Sequence, residues 1–221
     1  MRKKDLALKA VEALKGLYPE AVCSLKYTDP FELLIATRLS AQCTDARVNI
    51  VTPDLFKKYP DAESMSKAPI EDIEDLIKTC GLYKTKARDL IGIAKMITEN
   101  YGGIVPDTIE ELTKLPGVGR KTANLVCGDI YKKPAVVTDT HFIRLCNRLG
   151  LVDTDNPLKV ELAMKKLLPP EESSDFCHRT VLFGRDICTA RKADCGRCPL
   201  QHICPKKLNK KNQERNLHYG P

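Results

Sequence analysis

The chain has 221 residues, 43% of them apolar and 29% charged, and a formal charge of +7 at pH 7. That length can bury a sizeable core in one large or two small domains, and no internal repeat or low-complexity linker divides it. Lys9 and Lys15 interrupt the N-terminal apolar residues, which excludes a membrane span or secretory stretch there and leads us to expect a cytoplasmic, reducing setting, nucleoid-associated in a prokaryote. The moderate positive charge suggests a polyanionic partner and no membrane.

Taken from the N-terminus, Leu6, Ala7, Ala10, Val11, Leu14, Leu17 and Tyr18 form an apolar stripe at helical spacing, with Lys3, Lys4, Lys9 and Lys15 off it. Asp29 before Pro30, with Glu32 three residues on, reads as a capping box with proline at the first helical position. Gly81 is expected to stop a helix, and a second stripe of Ala87, Leu90, Ile91, Ala94, Ile97 and Tyr101 should stop at Gly102. Asp107 with Glu110 repeats the start signal. The helix that follows should end at Leu115 because Pro116 comes next. Gly117 and Gly119 then admit a tight hairpin with positive φ, and another helix should begin near Arg120. Asp139 precedes a stripe of Phe142, Leu145, Cys146 and Leu149, which Gly150 should end. The β-branched cluster Val136 to Thr138 is too short for a sheet, and nowhere does a period of two persist. The predicted fold class is all-α.

Three places carry chemistry. In LPGVGRKTAN (115 to 124), the amides of Gly117, Val118 and Gly119 and the start of the helix at Arg120 can approach a phosphate without side chains in the way; read alone, the segment is equally a packing turn. Lys121 lies just inside that helix, where the dipole and Arg120 oppose its charge and favour a nucleophilic neutral amine, while a bound phosphate would do the reverse. The bland alternative is a surface lysine. Asp139 reads first as an N-cap, although a capping carboxylate can also face a cleft.

The third place is the pattern C-x6-C-x2-C-x5-C formed by Cys188, Cys195, Cys198 and Cys204. Structural zinc sites usually take two tight chelating pairs, and only Cys195 and Cys198 make one. A four-iron, four-sulfur cube takes one thiolate per iron and tolerates uneven loops, so a 4Fe-4S cluster is the first reading, with zinc the runner-up and a disulfide knot the bland alternative. A 2+ core with four thiolates would bring the net charge to roughly +5. Cys23, Cys43, Cys80, Cys127, Cys146 and Cys177 are scattered through apolar segments as reduced core residues.

Together with LLIATRLSAQCTD (33 to 45), CGLYKTKA (80 to 87) and VTDTHFIRLCNRLG (137 to 150), these motifs make nearly the whole chain resemble endonuclease III, of the helix-hairpin-helix DNA glycosylases. The resemblance implies a six-helix barrel-like domain over about 23 to 134. A second domain would be made of 1 to 22 and 135 to 221, with damaged double-stranded DNA in the cleft between the two. It implies excision of oxidised pyrimidines such as thymine glycol after the nucleotide is flipped out. Lys121 is then the attacking amine and Asp139 its assisting carboxylate. Gln42 and Leu82 would fill the gap left by the flipped nucleotide, and the cysteine loop would present Arg191, Lys192 and Arg197 to phosphates. A monomer is expected, with a basic, disordered tail carrying Lys206, Lys207, Lys210, Lys211 and Arg215. Departures are small: Thr138 stands where the family often has valine, Cys43 follows the SAQ triplet, and tryptophan is absent. Lys121 argues against the adenine-mismatch glycosylases and the thymine-mismatch glycosylases that dispense with lyase chemistry. A mismatch or alkylation glycosylase, or a non-catalytic iron-sulfur DNA-binding module, remains the alternative.

Overall fold

The computed structural model describes residues 1 to 206, so Lys207, Lys210, Lys211 and Arg215 lie outside the described residues. Helices account for the regular structure: the described residues hold no sheet, only one isolated antiparallel bridge between Cys188 and Ala193. No helix among them is long and apolar enough to cross a membrane. The chain divides into two compact units, Cys23–Lys132, and Met1–Val22 joined by the chain from Lys133 onward.

The Cys23–Lys132 unit contains α2 (Pro30–Leu39), α3 (Asp45–Lys58), α4 (Ala62–Ser66), α5 (Ile70–Ile77), α6 (Tyr83–Tyr101), α7 (Ile109–Leu112) and α8 (Arg120–Asp129). In α2 an unbroken apolar run, Leu33 to Ala36, is fully buried, which makes it the central helix, with α3, α6 and α8 packed around it. Asp29 caps α2 as expected, its Oδ1 accepting from the Glu32 amide at 2.9 Å. The return arm of the capping box differs: Glu32 Oε2 accepts from the Thr28 amide at 2.6 Å and the Thr28 hydroxyl at 2.9 Å, one residue outside the predicted partner. The longest helix, α6, buries Ala87, Leu90, Ile93, Ala94 and Ile97 and ends at Gly102 in the left-handed region.

Three local expectations are corrected. Thr108, not Asp107, caps α7, accepting from the Glu111 amide at 3.2 Å, because its hydroxyl stands one residue closer to the first free amides. That helix is a single turn ending at Leu112, and the chain reaches Pro116 through Leu115, whose amide bonds back to the Leu112 carbonyl at 3.1 Å. Gly81 stops no helix; α5 already ends at Ile77.

The other unit contains α1 (Lys3–Leu17), α9 (Thr140–Arg148), α10 (Pro157–Leu167) and α11 (Ser173–Asp186). In α1 the buried stripe is Leu6, Ala7, Ala10, Val11 and Leu14, packed on α10 and α11; Leu17 falls outside it. Phe142 of α9 meets Phe176 of α11 edge to face, centroids 6.0 Å apart, a geometry favoured by the ring quadrupoles. Glu172 ties α1 to α11: it accepts from Lys15 and, through Oε2, from Arg179 Nη1 at 2.7 Å. The Arg179 guanidinium is buried, so removing that carboxylate strips a desolvated charge of its main partner.

The Lys15 and Arg179 hydrogen bonds hold the Glu172 carboxyl below its ordinary value of 4.5. A depressed carboxyl stabilises the fold above its unfolded value and ceases to do so as pH falls through the folded one. Glu172→Gln should therefore lower the unfolding free energy by about 2 kcal/mol at pH 7. In urea melts at a series of pH values, the gap between variant and native should close as the pH falls below 4.5.

Candidate functional site

The hairpin predicted at LPGVG forms, and one ion pair beneath it accounts for its shape. Gly117 adopts φ +67°, and a Cβ there would lie 2.4 Å from Arg38 Nε and 2.6 Å from Asp89 Oδ2. The hairpin backbone thus rests directly on an Arg38–Asp89 pair that joins α2 to α6, Nε to Oδ2 at 2.9 Å. Val118 points inward and is buried, its amide bonded to the Leu115 carbonyl at 3.1 Å. Gly119 differs from expectation: its φ of −92° is ordinary, and it serves as N-cap of α8 with no side-chain hydrogen bond to the helix start. A helix that starts without a side-chain cap leaves its first amides to solvent or to a ligand. Arg120 and Lys121, the first two residues of α8, are both exposed.

Two further predicted residues lie in neighbouring turns of the same unit. Gln42 follows α2 and Leu82 precedes α6; both take left-handed φ angles, +55° and +59°, and both are exposed, Leu82 at 60%. Read without the resemblance, Leu82 is a core residue and Gln42 a helix-surface amide, and the structure overturns both readings. The two turns touch: a Cβ on Gly81 would lie 3.5 Å from the Gln42 carbonyl oxygen. Left-handed backbone is uncommon for residues with a Cβ and persists only where the surroundings impose it.

Asp139 belongs to the other unit. It is the N-cap of α9, half-buried, with Oδ1 accepting from the Phe142 amide at 2.7 Å.

Further along that unit, Cys188, Cys195, Cys198 and Cys204 line one chamber with the apolar side chains of Leu145, Leu149, Phe183, Ile187 and Leu200; its volume is about 430 Å³, counting space open to solvent. No three His, Cys, Asp or Glu side chains among the described residues converge closely enough to hold a single metal ion. Burial, and then the neighbouring thiols, push Cys198 and Cys204 above the ordinary thiol value, opposed by amide hydrogen bonds to each sulfur. Two arginines of α9, which the sequence reading passed over, hold the loop. Arg148, only 6% exposed, donates to the Cys188 carbonyl and sulfur, both at 3.2 Å, to the Thr189 carbonyl at 2.8 Å and to the Ala190 carbonyl at 3.1 Å. Arg144 donates to the Gly184 and Cys188 carbonyls, both at 2.9 Å. Their spacing of four on a helix was the available signal, since it puts two cations on one face. Arg191 and Lys192 are exposed between the first two cysteines. Arg197 departs from expectation, being paired with Asp186 at 2.8 Å and Asp194 at 3.0 Å.

The glycine arrangement makes a paired prediction. Gly117→Ala should cost about 2 kcal/mol or more in chemical denaturation, because both its φ and its neighbours reject a Cβ. Gly119→Ala, with nothing within 4 Å of the added carbon, should cost about 1 kcal/mol at most.

The motif resemblance is borne out by comparison with known proteins. Residues 35–170 match the model of the HhH-GPD superfamily base excision DNA repair proteins. Endonuclease III of Synechocystis sp. is 46% identical over 204 residues, 92% of this chain and 93% of its own, and endonuclease III of Bacillus subtilis is 44% identical over 195 residues, 88% and 89%. A trapped endonuclease III–DNA covalent intermediate superposes with a TM-score of 0.88 at 41% identity, covering 98% of this chain and 100% of that one. The chain belongs to the HhH-GPD superfamily of base excision DNA repair proteins.

Proposed function

We propose that the protein is a bifunctional DNA glycosylase and abasic-site lyase that removes oxidised or ring-saturated pyrimidines, the thymine glycol class, from double-stranded DNA as a monomer. Superfamily membership and the endonuclease III relatives support the enzyme class. One observation carries the mechanism: Lys121 stands exposed at the second position of an uncapped helix whose hairpin is fixed on a buried framework.

The hairpin amides around Gly117, Val118 and Gly119, with Arg120, would hold a backbone phosphate beside the lesion. The Lys121 amine attacks C1′ of the deoxyribose and the base departs with the glycosidic electron pair, taking up a proton; the C1′–O4′ bond then breaks, O4′ leaving as a hydroxyl, and the open-chain iminium acidifies the C2′ proton. Loss of that proton expels the 3′ phosphate, and hydrolysis of the imine returns the lysine. Asp139 supplies a carboxylate that assists proton transfer or steadies positive charge on the sugar. Its Oδ1 is committed to the α9 cap, so Oδ2 is the oxygen assigned to the reaction. Gln42 and Leu82, presented outward in left-handed turns, suit an amide facing the orphaned base and an apolar wedge.

Cys188, Cys195, Cys198 and Cys204 are assigned to a 4Fe-4S cluster. Four thiols lining one chamber, in a spacing with only one tight chelating pair, suit one thiolate per iron. The Arg148 N–H on Cys188 sulfur is the kind of donor that steadies a cluster thiolate. When bound, the group cross-links the loop rigidly; Arg191 and Lys192, exposed on it, would then meet DNA phosphates.

Lys121→Gln should lose base release and nicking of a thymine-glycol duplex by at least about a hundredfold while duplex affinity survives. Undiminished turnover by that variant would sink the lysine mechanism. Release of a different base from a panel of defined lesions would favour a mismatch or alkylation glycosylase, and salt-sensitive binding with no product from any lesion a binding module. Asparagine caps helices as well as aspartate, so Asp139→Asn should leave thermal stability nearly unchanged but slow base excision by about a hundredfold. Equal activity would reduce Asp139 to its capping role.

A further inference from the structure

Lys86 is a buried cation that the proposed chemistry does not use. It lies in the first turn of α6 with no exposed surface, and its Nζ donates to the Leu39 carbonyl, the last residue of α2, at 2.8 Å. Its own amide donates to the Leu82 carbonyl at 3.0 Å. That amide hydrogen bond is the ordinary first bond of the helix, so what the side chain adds is a tie from the first turn of α6, which starts after Leu82, to the end of α2, three residues before Gln42. Cys43 and Cys80, which adjoin Gln42 and Gly81, lie close enough to act on its charge. Burial pushes the ammonium below its ordinary value, and either protonation state keeps an N–H for the Leu39 carbonyl.

Packing alone does not call for this arrangement. A methionine would fill similar volume without the cost of desolvating a charge. What the ammonium adds is direction: it caps the end of α2 and so fixes where the Ser40–Cys43 turn departs. Gln42 and Leu82, exposed in the two turns, have backbone angles that must be imposed from outside.

We propose that Lys86 is a positioning residue for duplex insertion, setting the spacing of Gln42 and Leu82 so that both reach the gap of a flipped nucleotide together. This rests on the reading of those two residues given under Proposed function. The test avoids catalysis: native protein, Lys86→Met and Leu82→Ala are titrated into a duplex carrying a tetrahydrofuran abasic analogue opposite 2-aminopurine, whose fluorescence reports insertion. Native protein should change the fluorescence. Lys86→Met should bind with at most about a tenfold loss of affinity yet give little of that change, and adding Leu82→Ala should have no further effect, the non-additivity expected of residues acting as a unit. Visible absorbance and thermal melting confirm folding; should Lys86→Met not fold, Lys86→Gln, which keeps a donor on a shorter chain, should give an intermediate signal.

A Lys86→Met signal equal to native, or a native protein that leaves the fluorescence unchanged, would overturn the proposal. Base release from a thymine-glycol duplex by native protein, run in parallel, tests the enzymatic reading separately. Lys86→Met should slow that reaction about tenfold or more, since small misplacements of positioning groups are costly. It should cleave a single-stranded abasic oligonucleotide, which has no gap to fill, at close to the native rate. Equal losses on both substrates would mean a structural role only and would also overturn the proposal.

Discussion

The Arg38–Asp89 ion pair is the contact on which the Cys23–Lys132 unit is organised. It joins the central helix α2 to the long helix α6 and takes the weight of the Gly117 hairpin on its outer side. Three predicted DNA-contacting segments, the Gln42 turn, the Leu82 turn and the hairpin, all depart from these two helices or lie against the pair that joins them. A largely buried ion pair seldom adds much net stability over apolar packing, but it has one good geometry, and a backbone seated on it inherits that geometry. The absence of a side chain at Gly117 is the other half of the device: contact between main chain and guanidinium is possible only without a Cβ.

The other unit uses arginine in the same way on a different object. Arg148 and Arg144 direct most of their hydrogen bonds to the carbonyls of residues 184 to 190, and one to the sulfur of Cys188. A loop with little regular structure is thereby given hydrogen-bond partners that a sheet or helix would otherwise supply. The four thiols share one chamber, and the exposed Arg191 and Lys192 extend from a fixed base. Carbonyl capture by a guanidinium needs several acceptors in one plane, which lysine at position 148 would not satisfy.

The helices were legible because their signals are local: the apolar stripes of α1 and α6, the Asp29 and Asp139 caps, and the hairpin glycine all act within a few residues. The family resemblance was legible for the same reason, since its motifs are short and contiguous. What escaped were the supports. Arg38 meets Asp89 across 51 positions, Lys86 meets Leu39 across 47 and Arg148 meets Cys188 across 40, and no spacing rule connects such pairs. Boundary errors had a local cause instead. At Asp107 and Thr108 two good capping residues stand side by side, and the hydroxyl nearer the free amides prevailed. Leu82 shows a subtler failure: a leucine before an apolar helix reads as core, and only its left-handed backbone turns it outward.

In the proposed mechanism the reacting atom is the Nζ of Lys121, which the hairpin would carry to a sugar. Borohydride reduction during reaction with a thymine-glycol duplex, followed by proteolysis and mass mapping of the adduct, reads that atom directly, because reduction captures only an imine between an amine and the opened sugar. The predicted result is a single modified peptide with the sugar remnant on Lys121. A remnant on another lysine or on the N-terminal amine, or base release with no adduct at all, would contradict it.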